Sequence, residues 1–160
     1  MTIYVVDTCV VREMLFHFRR DVPAFDRMWD EIDSMITSGE IVFVKESYGE
    51  LERQCTTEQN VQWLKSKKEY FTAPSNDECI IVSQIYEKRN FQNNVSIKNM
   101  LNGQPVADAF LVARAKCIGD NAIVVSREVL KPNAAKIPNI CESFGVRYID
   151  DKDFQKILLP

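Results

Sequence analysis

Acidic residues stand where the apolar runs of this chain stop. Asp7 closes Ile3-Tyr4-Val5-Val6, and Glu46 and Glu50 come shortly after Ile41-Val42-Phe43-Val44. Glu128 lies three residues beyond Ala122-Ile123-Val124-Val125, and Asp150 and Asp151 follow Val146-Arg147-Tyr148-Ile149. Asp108 opens one more helical stretch, among the apolar neighbours Val106, Ala107, Ala109 and Phe110. Several carboxylates cannot share a small space without a cation, because like charges a few ångström apart force protons onto one another. Hard oxygen ligands without imidazole or thiolate partners select Mg²⁺ or Mn²⁺ over zinc or copper. Such a site activates a water for in-line displacement at phosphorus, and phosphodiester hydrolysis is its natural reaction. The chain has a single histidine, His17, which removes Ser-His-Asp hydrolysis, Cys-His proteolysis and any zinc site built mainly of imidazole.

These acids meet only if the fold gathers them. Short apolar strands separated by helices imply parallel pairing with right-handed crossovers, and so an α/β sheet of four to five strands covered by helices on both faces. In such a sheet the ligand site lies beyond the carboxyl ends of the strands. The spacing predicts helices over Cys9 to Phe18, Ala24 to Ser38, Ser47 to Gln54, Glu58 to Tyr70, Asp77 to Lys88, Val106 to Lys116 and Lys152 to Leu159. Gly39, Gly119 and Gly145 mark helix-to-strand joints, and Asn90 to Gln104 reads as one long loop.

With 160 residues, 46% apolar and 27% charged, the chain fits a single domain spanning 1–160. A domain of this size buries roughly 70% of its unfolded surface, so it needs no disulfide or structural metal. Five widely separated cysteines without a CxxC agree, and point to a reducing cytoplasm. No targeting segment or membrane span is expected. The net charge of -3 does not favour nucleic acid by itself. Setting four carboxylates aside for cations leaves 19 acidic against 20 basic residues, which permits an anionic substrate.

The chain resembles the PIN-domain nucleases, the family that includes the toxin ribonucleases of toxin-antitoxin pairs. The resemblance covers nearly the whole length and rests on Val5-Val6-Asp7-Thr8, on Glu50-Leu51, on Ala107-Asp108-Ala109 through Ala115, and on Val124-Val125-Ser126-Arg127-Glu128. The closing part, Lys136 to Tyr148, looks like a PIN-like subfamily of uncharacterised function. The resemblance implies a three-layer PIN-like fold and a metal-dependent endoribonuclease. It implies that Asp7, Glu50, Asp108 and Glu128 are the catalytic, Mg²⁺- or Mn²⁺-binding acids, with Thr8 and Ser126 as supporting hydroxyls. It implies an RNA substrate and a small antitoxin protein. Three residues depart from the family's habit: Cys9 in place of a small polar residue, Ser126 in place of threonine, and Glu128 in place of aspartate. They leave open a PIN-like binding protein with a weakened metal site that acts through protein or RNA contacts.

Each residue also has a plainer expectation. Asp7 caps the following helix; Glu50 belongs to a solvated acidic face with Glu46; Asp108 complements a helix dipole; Glu128 is a surface acid; Asp150 and Asp151 cap the last helix. His17 is expected to pack half-buried, and Cys9 lacks the histidine that would activate it. Lys65, Lys67 and Lys68 form a solvated helix end. Exposed apolar surface around Phe16, Phe25 and Trp29 is expected to receive a partner or a second copy in a homodimer. A dinucleotide-binding domain fits poorly, since the turn Asp7-Thr8-Cys9 has no glycine to admit a pyrophosphate, and so does a haloacid-dehalogenase-type phosphatase, which wants a second aspartate where Cys9 stands.

Overall fold

The computed structural model describes residues 1–94 and 106–159. Five parallel strands form one sheet: β1 (Ile3–Val6), β2 (Ile41–Val44), β3 (Phe71–Thr72), β4 (Ala122–Val125) and β5 (Arg147–Ile149), in the order β3-β2-β1-β4-β5. β1 is central, with Val5 paired to Val42 on one side and Val124 on the other. The helices are α1 (Thr8–His17), α2 (Asp26–Ser38), α3 (Lys45–Gln54), α4 (Glu58–Ser66), α5 (Asn76–Glu87), α6 (Asp108–Ile118), α7 (Ile137–Phe144) and α8 (Asp151–Leu158).

Alternation along each strand divides the core in two. Tyr4, Val6, Ile41, Phe43 and Val125 face Met14, Trp29, Leu51, Trp63 and Phe154, while Val5, Val44, Ala122 and Val124 face Ile85, Leu111, Val112 and Ile140. The result is three layers, helix, sheet and helix. Gly39 ends α2 in the left-handed conformation, φ +82°, which a residue with a Cβ adopts only at a cost. Asp150 accepts the Asp153 amide at 2.8 Å, so the expected cap of α8 is formed.

Several expectations change. The helix expected to run to Tyr70 ends at Ser66, continues as a 3₁₀ turn over Lys68–Tyr70 and feeds β3. α7 is the helix that the Gly145 joint implied without giving its bounds. Of the long loop, Arg89–Asn94 is a 3₁₀ helix and the rest lies outside the described residues. His17 is exposed, not half-buried, and pairs with Glu13 at 2.8 Å. Trp29 is 3% exposed and donates to the Phe18 carbonyl, so of the expected partner surface only Phe16 is open. Lys67 pairs with Asp33 and is not part of a solvated lysine patch.

Arg114 clamps the β2–β3 edge. Its Nε donates to Glu78 at 2.6 Å, and its two terminal nitrogens reach the carbonyls of Phe43, Thr72 and Ala73 and the Thr72 hydroxyl. Both partners of the ion pair are nearly sealed from water. Removing one leaves the other charged and buried, which costs about 3–5 kcal/mol. Arg114→Leu is therefore expected to lower unfolding free energy in urea by about that amount, whereas breaking the exposed Lys156–Asp153 pair changes it by under about 1 kcal/mol.

Candidate active site

The strand order reverses on either side of β1, and in parallel sheets ligands bind at such a switch point, beyond the carboxyl ends of the strands. The Asp7 amide continues the ladder by donating to the Val125 carbonyl at 3.0 Å, which sets Asp7 beside Ser126. Asp7 is 2% exposed. It occupies the N-cap position of α1 without a side-chain capping bond, so capping does not account for it. Its Oδ2 instead accepts from the Ser126 hydroxyl at 3.3 Å, and Ser126 Oγ accepts the Glu128 amide at 3.1 Å.

Asp108 begins α6. Its Oδ2 accepts from Asn94 Nδ2 at 2.7 Å. The same amide group donates to the Ala135 carbonyl at 3.2 Å, and its oxygen accepts from the Tyr86 hydroxyl at 3.3 Å. Every polar atom of the Asn94 side chain is thus engaged in orienting Asp108. Nothing in the sequence pattern singled out Asn94 or Tyr86, because the contact joins a 3₁₀ turn to a helix start fourteen residues on.

The two glutamates reach in from farther away. Glu50 Oε1 accepts the Ala107 amide at 3.1 Å, and Glu128 Oε2 accepts the Ile137 amide at 2.7 Å. Each carboxylate thereby caps a helix, α6 and α7 respectively, whose N-cap residue, Ala107 or Lys136, makes no side-chain capping bond. Glu50 is no solvated surface acid. Glu46, one turn earlier, lies toward Lys45, Arg114 and Glu78 instead.

Electrostatics ties the four acids together. Burial pushes the Asp7 carboxyl well above its ordinary value, and repulsion from Asp108, Glu128 and Glu50 pushes it further. Asp108 is raised to about 7, first by burial and then by Glu128. Asn94 and, more weakly, Lys136 pull it back. Among the described residues no Lys or Arg forms an ion pair with any of the four. The helix N-termini of α1, α6 and α7 converge there and supply partial positive charge.

The donor set is of the kind a hard divalent cation takes: four carboxylates, the Ser126 hydroxyl, and Thr8 Oγ1, which is buried with no hydrogen-bond partner among the described residues. Among the described residues no three acidic, histidine or cysteine groups stand close enough to form a ready ligand set, since each carboxylate is turned onto a donor of its own. Cys9 beside Asp7 is no nucleophile, because burial and the Asp7 charge push its thiol up to about 12. All five cysteines are free thiols.

A family described as a domain of unknown function (DUF4411) matches residues 4–157. The chain belongs to this family. No curated protein matches it. Solved structures with the same architecture include FitAcB from Neisseria gonorrhoeae, at 16% identity and TM-score 0.54, covering 94% of this chain and 99% of that one. DNA-bound VapBC from Salmonella typhimurium aligns over 94% and 99% at 16% identity and TM-score 0.51. VapBC2 from Rickettsia felis, bound to a DNA fragment from their promoter, aligns over 93% and 98% at 12% identity and TM-score 0.50. The DUF4411 chain therefore has the PIN-like fold. Among its described residues no helix is long and apolar enough to cross a membrane.

The raised acids make a pH prediction. Folded, Asp108 holds a proton up to about pH 7; unfolded, only to its ordinary 3.8. Between those values the folded state binds more protons, so stability falls as pH rises through the window, by a few kcal/mol. Asp7 acts in the same direction. In chelator, the melting temperature of the parent is expected to drop by several degrees between pH 5 and pH 8. Asp108→Asn should flatten that slope and melt higher than the parent at pH 8.

Proposed function

We propose that this protein is a Mg²⁺- or Mn²⁺-dependent endoribonuclease, the toxin of a toxin-antitoxin pair restrained by a small antitoxin protein. What supports the reading is that Asp108, Glu128 and Glu50 all repel the buried Asp7 carboxylate, with no cationic side chain among the described residues ion-paired to any of the four. A cluster so repelled favours the charge that relieves it. The PIN-like fold and the neighbours FitAcB and VapBC support the toxin-antitoxin context.

Asp7, Asp108, Glu50 and Glu128 would hold the cation, with Thr8 and Ser126 beside them. Bound there, the cation supplies a nucleophile at neutral pH and stabilises charge on the leaving oxygen. The remaining work belongs to the chain. Ser126 fixes Asp7 Oδ2 and ties it to the Glu128 backbone. Asn94 holds Asp108 in one orientation. Each glutamate keeps one oxygen on a helix amide. A basic side chain of the antitoxin, arginine best of all, would compete with the cation for these oxygens.

A second reading has an observation of its own. Glu50 and Glu128 already serve as helix caps, so the same residues also suit a PIN-like binding protein with an inactive centre. Metal and RNA separate the two. Millimolar Mn²⁺ is expected to raise the melting temperature of the parent by several degrees and to leave Asp7→Asn unmoved. Single-stranded RNA should be cut by the parent and by His17→Ala, but at least about a hundredfold more slowly by Asp7→Ala and Asp108→Ala. Glu50→Gln should cut more slowly than Glu46→Gln. Melting indifferent to Mn²⁺, with RNA intact, selects the binding protein.

Expression in a host cell tests the toxin assignment. The parent alone should arrest growth with loss of cellular RNA, and Asp108→Asn should not. Robust growth with abundant folded parent protein would refute it.

A further inference from the structure

Most of the arginines near the acid centre and along the helices are spoken for. Arg12, Arg19, Arg20, Arg114 and Arg127 each have a carboxylate, and so does Lys67. Lys45, Arg53 and Lys68 differ. All three are exposed, and among the described residues none forms an ion pair. Lys45 and Lys68 line one cavity of about 510 Å³, together with Tyr48, Gly49, Phe71 and Pro74. Arg53, one turn on from Gly49, brings a guanidinium nitrogen to 3.6 Å from where a Cβ on Gly49 would stand. The cavity lies toward the same edge of the sheet as the acids, because Lys45 directly follows β2 and a helical rise of only about 7.5 Å separates it from Glu50.

The wall between these cations is aromatic. The Tyr48 ring stands edge-on to Phe71, centroids 5.2 Å apart, and Phe71 in turn stacks on Phe43 of β2 at 4.5 Å, so the ring is braced from the core. Lys68 Nζ lies over the face of Tyr48, 5.7 Å from its centre. An exposed side chain therefore covers that face. Glu46 also borders the cavity, but its Oε2 is shut off from water, whereas both lysines are open to it. Gly49 adds a sign of its own. It sits inside α3, where glycine destabilises a helix relative to alanine, and a Cβ there would meet nothing nearer than the Arg53 nitrogen. Packing within the chain gives no reason for glycine, whereas close approach of a ligand to the helix backbone does.

We propose that this cavity is a stacking subsite for one unpaired base of the RNA strand, with the base against Tyr48 and the flanking phosphates on Lys45, Arg53 and Lys68. An aromatic face with a basic rim holds a single strand whatever its sequence, because every base has a π-face and every nucleotide a phosphate. In a duplex the bases are stacked on one another, so the subsite selects unpaired strands. An acidic peptide would satisfy the cations but leave the aromatic face and the glycine without use. The subsite rests on the nuclease reading for the identity of its strand, and places a grip on that strand less than two helical turns from Glu50.

The test is titration of a short oligouridylate, and of an abasic strand of the same length, into the protein in chelator, so that neither metal nor cleavage enters. Tyr48→Ala should weaken oligouridylate about tenfold and leave the abasic strand unchanged, whereas Tyr48→Phe should bind as the parent does. Lys45→Gln and Lys68→Gln should each lower the slope of log affinity against log salt by about 0.7. Gly49→Ala should melt higher than the parent and yet bind oligouridylate several-fold more weakly, a combination that misfolding cannot produce. Equal loss of both strands on Tyr48→Ala, or affinity untouched by Tyr48→Ala and Gly49→Ala, overturns the subsite. So does a glutamate-rich peptide that displaces the strand at equal concentration, which selects an acidic protein partner instead. RNA cutting without any dependence of binding on Tyr48 removes the subsite and leaves the nuclease. Binding that depends on Tyr48 without RNA cutting keeps the subsite and removes the nuclease.

Discussion

Four carboxylates that repel one another are held at one end of a parallel sheet, and much of the surrounding structure is organised by that repulsion. Several enclosed acids elsewhere in the chain are paired with cations. Glu78 has Arg114, Asp33 has Arg20 and Lys67, and Glu13 and Asp151 share Arg127. At the switch point the partners are neutral instead: the Ser126 hydroxyl, the Asn94 amide, and the backbone amides of Ala107 and Ile137. Neutral donors satisfy geometry without cancelling charge, so Asp7 and Asp108 keep raised proton affinities. Stability is lower for it, and that is the usual signature of a site kept for chemistry rather than folding.

Topology makes the gathering possible. β1 is laid down first and becomes the central strand, so Asp7 stands in the middle of the carboxyl edge and the later strands bring acids to either side. β2 leads into α3 and Glu50; α6 leads into β4, placing Asp108 and Glu128 at opposite ends of one helix-strand unit. The peripheral ion pairs then fix the elements that carry the acids. Arg127, next to Glu128, bridges α1 and α8 through Glu13 and Asp151.

The strands that carry the acids were legible because each is a run of three or four apolar residues broken by an acid or a polar residue. β3 was not, since two residues, Phe71 and Thr72, carry no periodicity, and the preceding Lys68–Tyr70 turn continues a helical pattern. The helix before Gly145 was implied by that joint but its start was not, since Lys136 offers no capping side chain to mark it. The acids could be named from their positions after strands. Of their neutral partners, Ser126 was expected through the family resemblance, whereas Asn94 gains meaning only from what tertiary structure sets opposite it. His17 misled for a related reason: its helix is apolar on one face, and it falls on the other.

The side-chain length at position 128 follows from the same geometry. Aspartate is the more usual residue there in the family that the chain resembles, and the extra methylene looked like a weakening. In the folded chain it lets a carboxylate anchored after β4 reach the first amide of α7, at 2.7 Å. Lys136, the N-cap residue of that helix, makes no side-chain capping bond, so the cap has to come from elsewhere. Glu50 stands in the same relation to α6, whose N-cap is Ala107. Among the described residues the second oxygen of each glutamate makes no hydrogen bond, so capping a helix and facing the acid cluster are compatible on one carboxylate. Any charge that draws these carboxylates inward would pull on the N-termini of α6 and α7 as well. The two helices are therefore mechanically joined to the acids.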